Sequence, residues 1–165
     1  MQEPVPFWDL LISQKLTRAP FPESRFNPKA FYNPQKGRPG TIRYEEGYCI
    51  SNDLEDFDAG FFNVNPTDAQ FLDPQQRGLL ECCFECMESE GITLEDVSGS
   101  TTGVYVGSFA SDYETLAFKE PERIEGMAVL GMGRTTISNR VNYMYNLHGP
   151  RLVRSSPSIL PRYVC

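Results

Sequence analysis

One helix start constrains this chain more than any other stretch. Asp73-Pro74-Gln75-Gln76-Arg77 leads into an apolar run that reaches Glu90 and meets Gly91. Asp73 can accept hydrogen bonds from the free N–H groups of a first helical turn, Pro74 suits the first helical position, and Gln76 stands where a capping box takes Glu or Gln. Leu80, Phe84 and Met87 then recur at helical spacing with Leu79 and Cys83 beside them, while Arg77, Glu81, Glu85 and Glu88 take the other side. Gly91 can adopt the left-handed conformation that stops a helix. The pattern predicts an amphipathic helix over residues 78–90, and such a helix must bury its apolar side against another layer.

Charge narrows the partners. The 165 residues carry 15 Lys and Arg against 22 Asp and Glu, a formal charge of −7, and no basic cluster of the kind that neutralises phosphates occurs, so a nucleic-acid groove is not expected. No apolar run is long enough to cross a bilayer, and Met1-Gln2-Glu3-Pro4 lacks the basic start and apolar core of a signal peptide. The chain reads as one cytoplasmic domain. Five cysteines, Cys49, Cys82, Cys83, Cys86 and Cys165, do not suggest a disulfide framework. Cys83-Phe84-Glu85-Cys86 is a C-x-x-C, but a redox pair begins at a helix N-terminus, whereas this one lies mid-helix, so core packing is expected. Zinc would need two more ligands, and the one histidine, His148, is distant in sequence. No metal or directly bound cofactor is expected.

The remaining chain alternates loops with a few ordered elements. Phe7-Trp8-Asp9-Leu10-Leu11 opens a short helix to about Leu16, with Trp8, Leu11 and Ile12 on one side. From Ala19 to Gly47, Pro20, Pro22, Pro28, Pro34 and Pro39 keep regular structure brief, while Phe21, Phe26, Phe31 and Tyr32 suggest an ordered, pinned loop. Tyr48-Cys49-Ile50 reads as a short extended piece and Asp53 to Asp58 as an acidic turn. Phe61-Phe62-Asn63-Val64 fits strand or loop, and Thr67 to Leu72 a short helix. Ile92 to Thr102 reads as a connection.

Gly103-Val104-Tyr105-Val106-Gly107-Ser108 is the best strand. Ser111 to Glu125 is polar and reads as irregular, with room for a helical turn. Gly126 to Gly133 is small and apolar; it lacks both the G-x-G-x-x-G pattern and a G-K-[ST] ending, so a nucleotide loop is not expected. A second helix starts at Thr135 or Thr136 and runs to about Tyr145, with Ile137, Val141 and Tyr145 spaced by four before Gly149-Pro150 ends it.

In order, Asp73-Pro74-Gln75-Gln76-Arg77 with Leu79-Leu80-Glu81, then Gly103-Val104-Tyr105-Val106-Gly107, then Asn139-Arg140-Val141-Asn142-Tyr143 with Leu147-His148-Gly149-Pro150, resemble the N-terminal part of a β-ketoacyl synthase domain of a type I polyketide synthase. Phe7-Trp8-Asp9-Leu10-Leu11, Pro22-Glu23-Ser24-Arg25-Phe26-Asn27, Phe31-Tyr32 and Phe57-Asp58-Ala59-Gly60-Phe61-Phe62 resemble the preceding segments of the iterative enzymes of filamentous fungi. The resemblance covers residues 6–150. It implies an α/β, thiolase-like fold, here the N-terminal half only, without the first core strand and the C-terminal half. It also implies a homodimer partner, acyl carrier protein with substrates on its phosphopantetheine, and decarboxylative Claisen condensation of acyl and malonyl thioesters. That chemistry needs a cysteine thiolate and two histidines.

Residues 151–165 read as a divergent tail. The family pattern continues from Gly-Pro into a strand ending in Asp-Thr-Ala-Cys-Ser-Ser, whereas this chain has Arg151-Leu152-Val153-Arg154-Ser155-Ser156-Pro157-Ser158. Counting from Pro150 puts Ser158 at the nucleophile position, and Pro157 and Pro161 disfavour the helix that would polarise a thiol there. Ser158 is not expected to be active, nor is Cys165. His148 matches the residue before Gly-Pro rather than a catalytic histidine. The expectation is therefore an enzyme-family segment inactive by itself, or alternatively a dimerisation or carrier-protein-binding module acting on an intact synthase. A serine hydrolase using Ser158 has no G-x-S-x-G elbow behind it.

Overall fold

The computed structural model describes residues 4–35, 37–50, 53–110, 112–119, 122 and 131–154. They fall into two compact units, residues 4–50 and residues 53–154. Gly126 to Leu130, Ser158 and Cys165 lie outside the described residues.

The first unit opens with helix α1, Pro4–Ser13, which starts earlier and stops sooner than the predicted Phe7 to Leu16. Gln14 takes a left-handed φ of 50° and turns the chain out of it. The side expected to need a partner is in solvent: Trp8 is 63% and Ile12 65% exposed. Strands β1, Ala19–Pro20, and β2, Glu46–Gly47, pair antiparallel. Sheet pairing thus falls just before Tyr48-Cys49-Ile50, the piece expected to be extended. Proline density keeps the intervening loop irregular, and its aromatics pin it: Phe21 meets Phe26 edge-on at 5.7 Å, and Phe26 stacks on Phe31 at 5.4 Å.

The second unit holds the core. Asp58 Oδ1 accepts from the Phe61 N–H at 2.9 Å, and Asn63 has φ 48°. Phe61-Phe62-Asn63 is therefore a turn, and it stacks Phe62 on Phe57 at 5.2 Å. Asn65 caps helix α2, Pro66–Gln70, through Thr67 N. Helix α3, Pro74–Ser89, is capped by Asp73 and followed by Gly91 with φ 70°. The predicted connection contains a short helix α4, Leu94–Val97, held by a Thr93–Asp96 capping box. Strand β3 is Val104–Gly107, and helix α5, Asp112–Ala117, occupies part of the stretch expected to be irregular. A 3-10 turn, Arg134–Thr136, leads into helix α6, Ile137–Met144, and strand β4, Arg151–Arg154, follows.

β3 and β4 run parallel, pairing Val104 with Arg151 and Gly107 with Arg154. Parallel neighbours need a crossover between them, and α6 lies in that crossover and packs on both strands and on α3. Phe62, Leu80, Val141 and Tyr145 form the buried cluster, flanked by Leu79, Cys83, Phe84, Met87 and Val104. The predicted trio Ile137, Val141 and Tyr145 is buried as a set. Tyr145 also donates its hydroxyl to Leu80 O at 2.7 Å, which satisfies a polar group inside the core. The opposite face of the strand pair is bare: Tyr105 and Leu152 sit side by side, 68% and 56% exposed.

Candidate functional site

The first turn of α3 does more than start a helix. Asp73 Oδ1 accepts from Gln75 N at 2.8 Å, which is the expected cap. Gln76 departs from its predicted capping-box role. The Asp73 N–H it would have accepted is given to Gly131 O at 2.9 Å, and the Gln76 side chain, 1% exposed, turns the other way. Its Nε2 donates to Gly131 O at 2.8 Å, with Gly133 O at 3.3 Å and Thr136 Oγ1 at 3.2 Å also in reach, and its Oε1 accepts from Arg140 Nε at 3.0 Å. One amide thereby ties α3 to the turn before α6 and to α6 itself. Gly131 is required for this closeness, because a Cβ there would meet Phe71 O at 2.8 Å.

Gln75 makes the matching tie to the strands. Its Nε2 reaches Asp73 Oδ2 at 3.3 Å and Ala110 O at 3.4 Å, and its Oε1 accepts from Ser108 Oγ at 3.2 Å. Ser108 follows β3 directly, and its N–H donates to Arg154 O at 3.1 Å. The carboxyl ends of both parallel strands are thus fixed against the helix start, and in α/β sheets that edge is where ligand sites form. Burial pushes the Asp73 carboxyl up from its ordinary value, opposed by the Gln75 N–H and the Arg77 charge.

The other candidates are not drawn to this edge. His148 is exposed; its N–H donates to Ser100 O at 2.8 Å and its Nε2 lies 3.2 Å from Asn146 Oδ1, a loop-fixing role. The C-x-x-C splits: Cys83 packs against the core, and burial pushes its thiol up to about 11. Cys86 is exposed, against the expectation that both would pack. Among the described residues no three His, Cys, Asp or Glu side chains are grouped to hold a metal, and no helix is long and apolar enough to cross a membrane. Sequence reasoning missed the reach of Gln75 and Gln76. The available signal was a long amide on the turn that the Asp73 cap aims inward.

The family pattern described as "Beta-ketoacyl synthase, N-terminal domain" matches residues 1–156. Among curated proteins the chain is 43% identical over 150 residues to the highly reducing polyketide synthase fogA of Aspergillus ruber, covering 91% of this chain. It is 47% identical over 143 residues to the highly reducing polyketide synthase easB of Emericella nidulans, covering 87%. It spans 6% of the length of either relative. An oxazolomycin ketosynthase domain of Streptomyces albus superimposes with a TM-score of 0.79 at 29% identity, over 91% of this chain and 26% of that one. A ketosynthase from the bacillaene synthase of Bacillus subtilis gives 0.72 at 25% identity, over 89% of this chain and 23% of that one. The mixed α/β arrangement is therefore that of the N-terminal region of a thiolase-like ketosynthase. The fungal relatives bear out the resemblance read from the ordered motifs, and the chain belongs to the β-ketoacyl synthase family as part of its N-terminal domain.

Proposed function

We propose that this chain supplies the N-terminal layer of a polyketide ketosynthase, that of a cytoplasmic fungal-type synthase, and does not condense acyl groups by itself. In the complete reaction a cysteine would take the acyl chain as a thioester. A malonyl group carried on the phosphopantetheine of acyl carrier protein would lose carbon dioxide, and the resulting enolate would attack. The observation that carries the reading is the sequence after Gly149-Pro150. By count from Pro150, Ser158, a hydroxyl where the chemistry calls for a thiol, takes the nucleophile position. A serine needs a neighbouring base to become nucleophilic, and the His148 ring is engaged with Asn146. Residues 6–150 act as the ketosynthase part and residues 151–165 depart from it in sequence, while Arg151 to Arg154 still pair with β3. Intact-mass measurement after incubation with an acyl thioester should show no acyl adduct, and an adduct mapped to Ser158 or Cys165 would overturn the proposal.

A second reading is a module that pairs with, or docks a carrier protein onto, an intact synthase. The exposed Tyr105–Leu152 pair favours it. Its test is co-purification with a full-length ketosynthase. Retention that Tyr105→Ser with Leu152→Ser abolishes supports docking through this face, and no retention removes the reading.

A further inference from the structure

The second half of α3 carries three thiols, Cys82, Cys83 and Cys86, that the ketosynthase reading leaves unused. They are not equivalent. Cys83 turns into the core cluster, whereas Cys82 and Cys86, four residues apart on the same helix, are both exposed. We propose that Cys82 and Cys86 form a two-thiolate site for a soft, thiophilic d10 cation of the Cu(I) type.

Spacing decides between this bridge and a disulfide. Side chains four apart on an α-helix have Cβ atoms about 5–6 Å apart, while a disulfide draws its Cβ atoms to about 3.5–4.5 Å. A direct S–S bond would therefore distort α3. An interposed cation adds length: two metal–sulfur bonds of about 2.3 Å each separate the sulfurs by up to about 4.6 Å, which suits the undistorted helix. Ligand number decides which cation. No third His, Cys, Asp or Glu is grouped with the pair among the described residues, so tetrahedral zinc is left short of ligands. A soft ion content with two thiolates in a line is satisfied. Cys83 does not complete a third bond, because its side chain is packed against the apolar core cluster. Binding replaces two S–H bonds by two metal–sulfur bonds and releases two protons to solvent, leaving a bis-thiolate of charge −1 with no oxidation or reduction.

The test uses the full, reduced chain under anaerobic conditions, with Cu(I) titrated against a chromogenic chelator. One Cu(I) should bind per chain, and Cys82→Ser or Cys86→Ser should each weaken binding at least about tenfold, while circular dichroism shows the helix content unchanged. Cys49→Ser, Cys165→Ser and Cys83→Ser should leave the affinity within about twofold. Unchanged affinity in either Cys82→Ser or Cys86→Ser would overturn the site. So would loss of binding in Cys49→Ser, Cys165→Ser or a folded Cys83→Ser, or a Cys82–Cys86 disulfide found by mass spectrometry after mild air oxidation.

Discussion

Residues 53–154 and residues 4–50 are both rich in aromatic side chains, yet they use them differently. In the first region Phe62, Leu80, Val141 and Tyr145 are removed from water together, and the amides of buried Gln76 and exposed Gln75 brace the elements that carry them. In the second, Pro28 is the one buried residue among those described, and the phenylalanines touch one another along the loop without closing over. Aromatic contacts between sequence neighbours give local order. Contacts between α3 and α6, far apart in the chain, give cooperative stability, because only those remove whole side chains from solvent.

The sharpest way to break the contrast is Leu80→Ala. Removing a fully buried leucine should cost about 2–5 kcal/mol, and urea melts followed by circular dichroism should show residues 53–154 losing most of their resistance. Hydrogen exchange at the amides of α3 and α6 should accelerate together, and unchanged protection there would show that Leu80 does not hold the cluster.

Gln76→Ala comes next. It leaves the half-buried Arg140 guanidinium without the amide oxygen that accepts from its Nε, while Gly131 O keeps the Asp73 N–H, at about 1–3 kcal/mol for a charged donor left unsatisfied. Hydrogen exchange at Gly133 and Thr136 should accelerate along with the loss in midpoint, whereas unchanged exchange would mean that the amide braces nothing.

The smallest effect belongs to the N-terminal region. Arg18 Nε lies 3.2 Å from Glu46 Oε2, with both side chains well exposed, so Glu46→Ala should cost under about 1 kcal/mol. A larger loss by the same melt would mean that this region rests on its ion pair more than on its aromatics.

What the sequence made legible follows the same division. The Asp73 cap, the α3 face and the Ile137–Val141–Tyr145 ladder are local patterns, and the structure places them as read. β4 was not legible: Arg151-Leu152-Val153-Arg154 has two apolar residues between charges and becomes strand through its pairing with β3. Helix α4 was hidden in a connection rich in Ser, Gly and Thr, because a four-residue helix shows no period, and only its Thr93–Asp96 box signals it. Gln76 misled because the capping-box pattern fits it locally, while the nearby Gly131 carbonyl, distant in sequence, takes the N–H it would have satisfied. The ketosynthase edge was read through the order of its motifs, and the amide ties that hold it required coordinates.

The separation between α3 and α6 also sets a clock. Leu80 leaves the ribosome about 60 residues before Val141, and at about 5–20 residues per second that is a delay of roughly 3–12 s. For that interval the apolar side of α3 has only the Phe57–Phe62 turn to cover it, so a nascent chain of this design is most open to chaperone capture after its best helix has formed and before its partner helix exists.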